Sequence, residues 1–240
     1  EEKLELERLA GLCDRVDGSL DPAYDYKLEN IRRGVNTDWA TKPLRNAFTQ
    51  SHSATMTGRG GGIEYKLTGR FSDAYGVMKG DYRRNYGVNV SLSYHFARNL
   101  LATYLLSYTM TDSKNSPYGS FAQYTKLNPY NPVYDENGDY IKNYYFDPVN
   151  RTIDRHVNPL YNATLASFSK SQNKAVTNYL SLRWDVAENL FVSGEVSVRQ
   201  SDSWNKVYVS PEDASFALQE LPQNKKGTYT ALSNERTNWR

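Results

Sequence analysis

Asp135-Glu136-Asn137-Gly138-Asp139 is the stretch of this 240-residue chain that comes closest to a metal site. Asp135, Asn137 and Asp139 share the alternate spacing that opens a calcium-binding loop. The bidentate Glu that would close such a loop falls at Phe146, which has no carboxylate. Asn-Gly is also a strong hairpin turn, and a turn is the stronger expectation. His52, His95 and His156 are far apart, and none sits in an HExxH spacing. Asp185 and Glu195 could be imagined as the carboxylate pair of a glycosidase. Arg183 and Arg199 stand beside them, which favours a salt-bridged wall instead. Arg59-Gly60-Gly61-Gly62 joins two strand patterns, so no helix start is there to hold a phosphate, and no GxSxG occurs. The single Cys13 excludes an internal disulfide and any CxxC site. The chain is expected not to be an enzyme, to need no cofactor and to hold no metal beyond that weak calcium candidate.

Binding chemistry is better represented. The chain has 20 Tyr and 13% aromatic residues beside a mean hydropathy of -0.73, so it is polar on average yet rich in rings with one greasy and one wet end. Such rings serve at membrane interfaces and on sugar-binding surfaces. Tyr118, Phe121, Tyr124, Tyr130, Tyr134, Tyr144 and Tyr145 lie in one long segment and could stack on a substrate or partner. They could equally form that segment's own small core. Trp39 reads first as an anchor for its loop and second as a ligand contact; Trp204 is equally compatible with an interfacial and a mouth-facing position. A net charge of +2, from 29 basic and 27 acidic residues, argues against a nucleic-acid surface.

The elements that position these residues announce themselves by a period of two. Tyr86, Val88, Val90, Leu92, Tyr94 and Phe96 alternate with Gly87, Asn89, Ser91, Ser93 and His95. After Ala97-Arg98-Asn99, Leu100, Ala102, Tyr104, Leu106, Tyr108 and Met110 share one face, with Thr103, Ser107, Thr109 and Thr111 opposite. That is strand periodicity with one face in an apolar medium. Runs of about ten residues exceed the usual five or six of a soluble sheet and match the outer-membrane barrel pattern. Ten residues at about 3.3 Å each, tilted about 45°, span about 23 Å, the height of an apolar band. Ile63 to Ser72, Leu180 to Val186 and Leu190 to Arg199 show the same alternation, and Ser51 to Gly58 shows it weakly. Glu64, Lys66, Arg70, His95, Arg183, Asp185, Glu195 and Arg199 all fall on the polar face, which would line a lumen.

The connections alternate as well. Those at 59–62, 97–99 and 187–189 are short, and those at 1–50, 112–173 and from 210 onward are long, with 73–85 intermediate. Up-and-down antiparallel strands place all the short turns at one end and all the long loops at the other, which is the asymmetry of outer-membrane barrels. The expected organisation is therefore 1–50, an outer loop with short helices; 51–111, two strand hairpins; 112–173, a long aromatic-rich outer loop; 174–209, a third hairpin; 210–240, the start of the next outer loop. The chain begins in a helical pattern and ends without a closing strand signal, so it reads as a piece of a longer protein. A soluble or surface-exposed β-rich module that binds carbohydrate or protein, adhesin-like, buries an apolar face too and is the alternative.

Asn36-Thr37-Asp38-Trp39, Phe48-Thr49-Gln50-Ser51-His52-Ser53, Gly76-Val77-Met78-Lys79-Gly80 and Asn128-Pro129-Tyr130-Asn131-Pro132-Val133-Tyr134-Asp135-Glu136-Asn137-Gly138 together resemble the SusC/RagA family of TonB-dependent outer-membrane transporters of Bacteroidetes. The resemblance covers roughly residues 1 to 140. It implies an all-β, antiparallel up-and-down transmembrane β-barrel segment, part of a 22-strand barrel with long extracellular loops. It also implies a location in the outer membrane of a Gram-negative bacterium, among its lipid, and import of glycans or peptides. A SusD-like surface lipoprotein would close the mouth. The TonB complex would act through N-terminal parts outside these 240 residues.

Overall fold

The computed structural model describes residues 2–11, 13, 22–144, 157–216 and 226–240. Tyr145, Phe146 and His156 lie outside the described residues. Seven strands form one antiparallel meander, each paired with its neighbours in sequence. They are β1 (Phe48–Gly60), β2 (Ile63–Tyr75), β3 (Tyr82–Ala97), β4 (Leu100–Lys114), β5 (Phe168–Ala187), β6 (Leu190–Val209) and β7 (Thr228–Trp239). Among the described residues, short α-helices lie outside the sheet: α1 (Glu2–Leu9), α2 (Pro22–Arg32), α3 (Phe121–Thr125) and α4 (Pro159–Thr164).

The three tight turns share one end of the sheet. Gly60 pairs with Ile63, leaving Gly61 (φ 57°) and Gly62 (φ 79°) as the turn. Two successive positive φ angles are what a type I′ hairpin needs, and glycine takes them without steric cost. The other two turns share the pattern Ala-x-Asn-Leu, Ala97-Arg98-Asn99-Leu100 and Ala187-Glu188-Asn189-Leu190, and each follows a register shift, at His95/Ala97 and at Asp185/Ala187. They also touch side by side, the Asp185 amide donating to the Asn99 carbonyl at 2.9 Å.

Register places the sequence pattern in rows. Leu67, Val90, Leu106, Asn178 and Val198 are direct neighbours across five strands, as are Tyr65, Leu92, Tyr104, Leu180 and Val196. This apolar face lies open: Leu180 is 52% exposed and Val196 54%. The opposite face carries Thr55, Thr68, Asn89, Ser107 and Thr177 in one row. No helix among the described residues is long and apolar enough to cross a membrane, which says nothing of strands.

Three boundaries differ from the sequence expectation, for one reason. Residues 228–239, expected within a polar loop, form β7. β5 and β6 run for 20 residues each, well beyond their apolar stripes at 180–186 and 190–198. β2 and β3 also extend, so the connection read at 73–85 shrinks to residues 76–81. Beyond the stripe both faces meet polar surroundings, so hydropathy loses its period of two while the backbone ladder continues. β7 shows this: Trp239 pairs with Val198 at the stripe's edge, and the rest of the strand pairs with the polar reach of β6.

Candidate functional site: the loop assembly and the polar wall

At the end opposite the tight turns, the long connections pack into one body. Its core is Trp39, Tyr124, Leu127, Val133, Tyr144 and Leu160, with Met78, Tyr118 and Ile141 against it. Trp39 is 3% exposed and Tyr124 fully buried. The Trp39 ring meets Tyr124 at 6.4 Å and Tyr144 edge-on at 6.3 Å. Its Nε1–H donates to the carbonyls of Asn128 (3.1 Å) and Asn131 (3.2 Å), which answers the polar demand of a buried indole.

Three of the four stretches that carry the family resemblance, 36–39, 76–80 and 128–138, meet here, while 48–53 lies on β1. The Thr37 amide donates to the Pro129 carbonyl at 2.7 Å, the Arg45 amide to Val77 at 2.8 Å and the Lys79 amide to Pro43 at 2.8 Å. Ser116 Oγ donates to the Lys79 carbonyl at 2.6 Å. Arg45 clasps the 76–81 connection from the side, donating to the Gly76 carbonyl (3.1 Å), the Asp81 carbonyl (2.7 Å) and the Asp81 carboxylate (2.9 Å). A Cβ at Gly76 would lie 2.1 Å from the Asp81 carboxylate, so a larger residue there would push Asp81 away from Arg45. Asn158 ties the returning limb down. Its amide donates to Val133 O at 3.0 Å, and its carbonyl oxygen caps α4 at the Leu160 amide, also 3.0 Å.

The candidate rings divide accordingly. Trp39, Tyr124, Tyr130 and Tyr144 are buried, so they hold loops together rather than present a stacking face; Tyr118 packs against the same core. Burial pushes the Tyr124 hydroxyl well above the usual tyrosine range. Phe121 and Tyr134 are exposed, and Tyr134 packs on Tyr140 at 4.8 Å. Trp204 lies on the same face as the apolar stripe and above it, opposite Gln172, to whose Oε1 it donates at 3.2 Å.

Asp135 to Asp139 form a hairpin turn between the bridged pair Tyr134 and Tyr140. Asp135 Oδ1 accepts from the amides of Asn137 and Asp139, both at 2.9 Å, and Gly138 takes a φ of 88°. The carboxylate is committed to its own turn. No group of three metal-ligating side chains occurs among the described residues.

The eight lumen-facing candidates sit on the polar face. Arg183 Nε donates to Asp185 Oδ1 at 3.0 Å and its guanidinium lies 4.3 Å from the Phe191 ring centre; Glu64 pairs with Arg59. Asp185 stands opposite Phe191 and Glu195 opposite Ser181. Their backbone positions are four residues apart, roughly 13 Å along the strand, too far for the carboxylate spacing of a glycosidase. Sequence periodicity missed two residues of this wall. Leu105 and Tyr179 are direct cross-strand partners on the polar face. With Lys66, Arg70 and Thr177 they line a groove of about 640 Å³.

No protein-family model matches the chain, and no curated protein matches it. Several solved structures resemble it, among them two of RagAB. One is the structure of the RagAB peptide transporter, at 14% identity and a TM-score of 0.65, over 88% of this chain and 26% of that one. The other is the RagAB peptide importer in the closed-closed state, at 15% identity and a TM-score of 0.59, over 75% of this chain and 20% of that one. The chain thus spans about a fifth to a quarter of the length of the proteins it resembles. At such identity the likeness is one of fold: the open seven-stranded sheet is an antiparallel β-barrel segment of the kind found in those transporters.

Proposed function

We propose that this chain forms part of the wall and outer loops of an outer-membrane importer of the SusC/RagA type. A barrel of 22 strands would take up oligosaccharides or peptides, powered by TonB, with a SusD-like lipoprotein over the mouth. The observation that carries the reading is the pairing of a bare apolar face with loops sorted by length to the two ends of the sheet. In lipid, every backbone polar group of a spanning segment needs an internal partner, which a closed antiparallel barrel supplies. Glu64, Lys66, Arg70, His95, Arg183, Asp185, Glu195 and Arg199 line the passage. Phe121 and Tyr134, exposed on the loop assembly, are offered to substrate or lipoprotein. No covalent step is assigned to the chain.

The test is to tag the complete protein in its own host, fractionate the envelope and purify it in mild detergent. It is expected in the outer membrane with heat-modifiable mobility on gels, bringing a surface lipoprotein with it. Deleting its gene should abolish energised uptake of labelled oligopeptides or of labelled oligosaccharides. Recovery in the soluble fraction as a monodisperse monomer would overturn this reading in favour of an adhesin-like module.

A further inference from the structure

The face that carries the apolar stripe continues past it, toward the long connections, and there three lysines stand in one row. Lys114 on β4 is the direct partner of Lys170 on β5, and Lys170 of Lys206 on β6. Neighbouring strands lie about 4.8 Å apart, so the three ammonium groups fall within roughly 10 Å. Like charges directly opposite one another on a sheet face are destabilising. Their neighbours in contact are rings: Lys170 Nζ lies 5.5 Å from the Phe168 ring centre and Lys206 Nζ 5.1 Å from that of Trp204. The carboxylates of the same face lie lower down, nearer the apolar stripe. Asp73 accepts from Arg84 at 3.3 Å, Asp112 stands opposite Arg84 and accepts from the Tyr82 hydroxyl at 3.4 Å, and Asp202 stands opposite Lys174 and Glu235. Among the described residues, no carboxylate forms an ion pair with the row, which is thus a local concentration of positive charge.

We propose that Lys114, Lys170 and Lys206 form a docking site for the phosphate groups of an anionic lipid in the leaflet nearest the long connections. The proposal rests on the membrane-barrel reading above. Its height fits. Lys114 lies four residues beyond Met110, the last apolar residue of β4, which is about 9 Å along the membrane normal for a strand tilted about 45°. On β5 and β6, Lys170 and Lys206 each stand two residues from a ring of the same face, Phe168 and Trp204, that extends the stripe upward. The headgroup layer is about 5–8 Å thick on each side of the hydrocarbon, and a lysine stem reaches down to it with its ammonium kept polar. Charge complementarity selects the occupant. A phosphate accepts charge-assisted hydrogen bonds from several ammonium groups at once and cancels the repulsion within the row. Trp204 and Tyr208, on the same face, supply the amphipathic rings that settle at headgroup level.

The experiment uses the complete protein in neutral detergent, with native mass spectrometry counting bound lipid. The probes are bisphosphorylated lipid A, the same lipid dephosphorylated, and inorganic phosphate. The wild type should retain the phosphorylated lipid. The Lys114→Gln/Lys170→Gln/Lys206→Gln variant should bind it about a hundredfold more weakly, at roughly fivefold per lysine near an anionic surface. A control variant with Lys27, Lys126 and Lys226 changed to Gln should bind as the wild type does. With repulsion removed, the triple variant should keep its heat-modifiable mobility and melt no lower than wild type in lipid-free detergent; Lys170→Gln alone serves as a milder version. Equal affinity of wild type and variant, or equal retention of the dephosphorylated lipid, would overturn the proposal. Displacement by millimolar phosphate would overturn it too, as a site for a soluble anion. A protein that never enters a membrane would sink the barrel reading; an inserted barrel indifferent to lipid phosphate would sink only this proposal.

Discussion

Trp39→Ala is expected to unfasten the outer loop assembly while leaving the strands paired. The substitution empties the centre of the loop core, where the indole touches Tyr124 and Tyr144 and holds the Asn128 and Asn131 carbonyls. Large-to-small changes of a buried aromatic residue cost about 3–5 kcal/mol, so the population of the opened loop should rise about a hundredfold or more. Limited proteolysis of the complete protein in detergent should show this as much faster cutting within 115–144, with strand amides still protected from hydrogen exchange. Trp39→Phe separates the two contributions. It keeps most of the packing but loses the N–H donor, so its cost should be about that of buried acceptors left unpaired, 1–3 kcal/mol. Cutting rates unchanged by Trp39→Ala would mean that the assembly does not depend on this core.

The second large effect belongs to the wall. Val90 lies midway along the apolar stripe of β3, with Leu67 and Leu106 as direct neighbours. Val90→Arg would place a charge at the middle of the bilayer, costing about 2–4 kcal/mol, or roughly thirtyfold to several hundredfold in the folding equilibrium. Ser91→Arg, one residue on, enters the polar face and should stay within about 0.5 kcal/mol of wild type. Urea unfolding of the complete barrel in lipid vesicles reads both. Equal losses for the two variants would contradict the assignment of faces.

These contrasts also explain what the sequence made legible. Wherever one face met an apolar medium, as from Tyr86 to Met110 and from Leu180 to Val198, alternation gave strand, face and turn together. Where both faces are polar, no such period survives. Lys170 and Gln172 on β5, and all of β7, are held by backbone pairing with residues far along the chain, so they looked like loop. The loop core posed a different problem. Trp39 stood out as an anchor, but whether Tyr124, Tyr130 or Tyr144 was buried depended on contacts with residues 37–39 and 76–79 that no local pattern encodes. The lysine row is invisible for the same reason, since it exists only once β4 and β5 are in register across a long connection. Leu105 and Tyr179 break the alternation on the polar face and so drew no attention, although they line the groove in the wall.

The most direct test of the lipid-facing assignment is thiol accessibility along β3 of the complete protein in lipid vesicles. Asn89→Cys, Val90→Cys, Ser91→Cys and Leu92→Cys, each in a Cys13→Ser background, would be exposed to a water-soluble maleimide. The barrel fold predicts labelling at 89 and 91 and protection at 90 and 92, where the side chains lie in hydrocarbon. Uniform labelling at all four positions, or protection at 89 and 91 with labelling at 90 and 92, would contradict it.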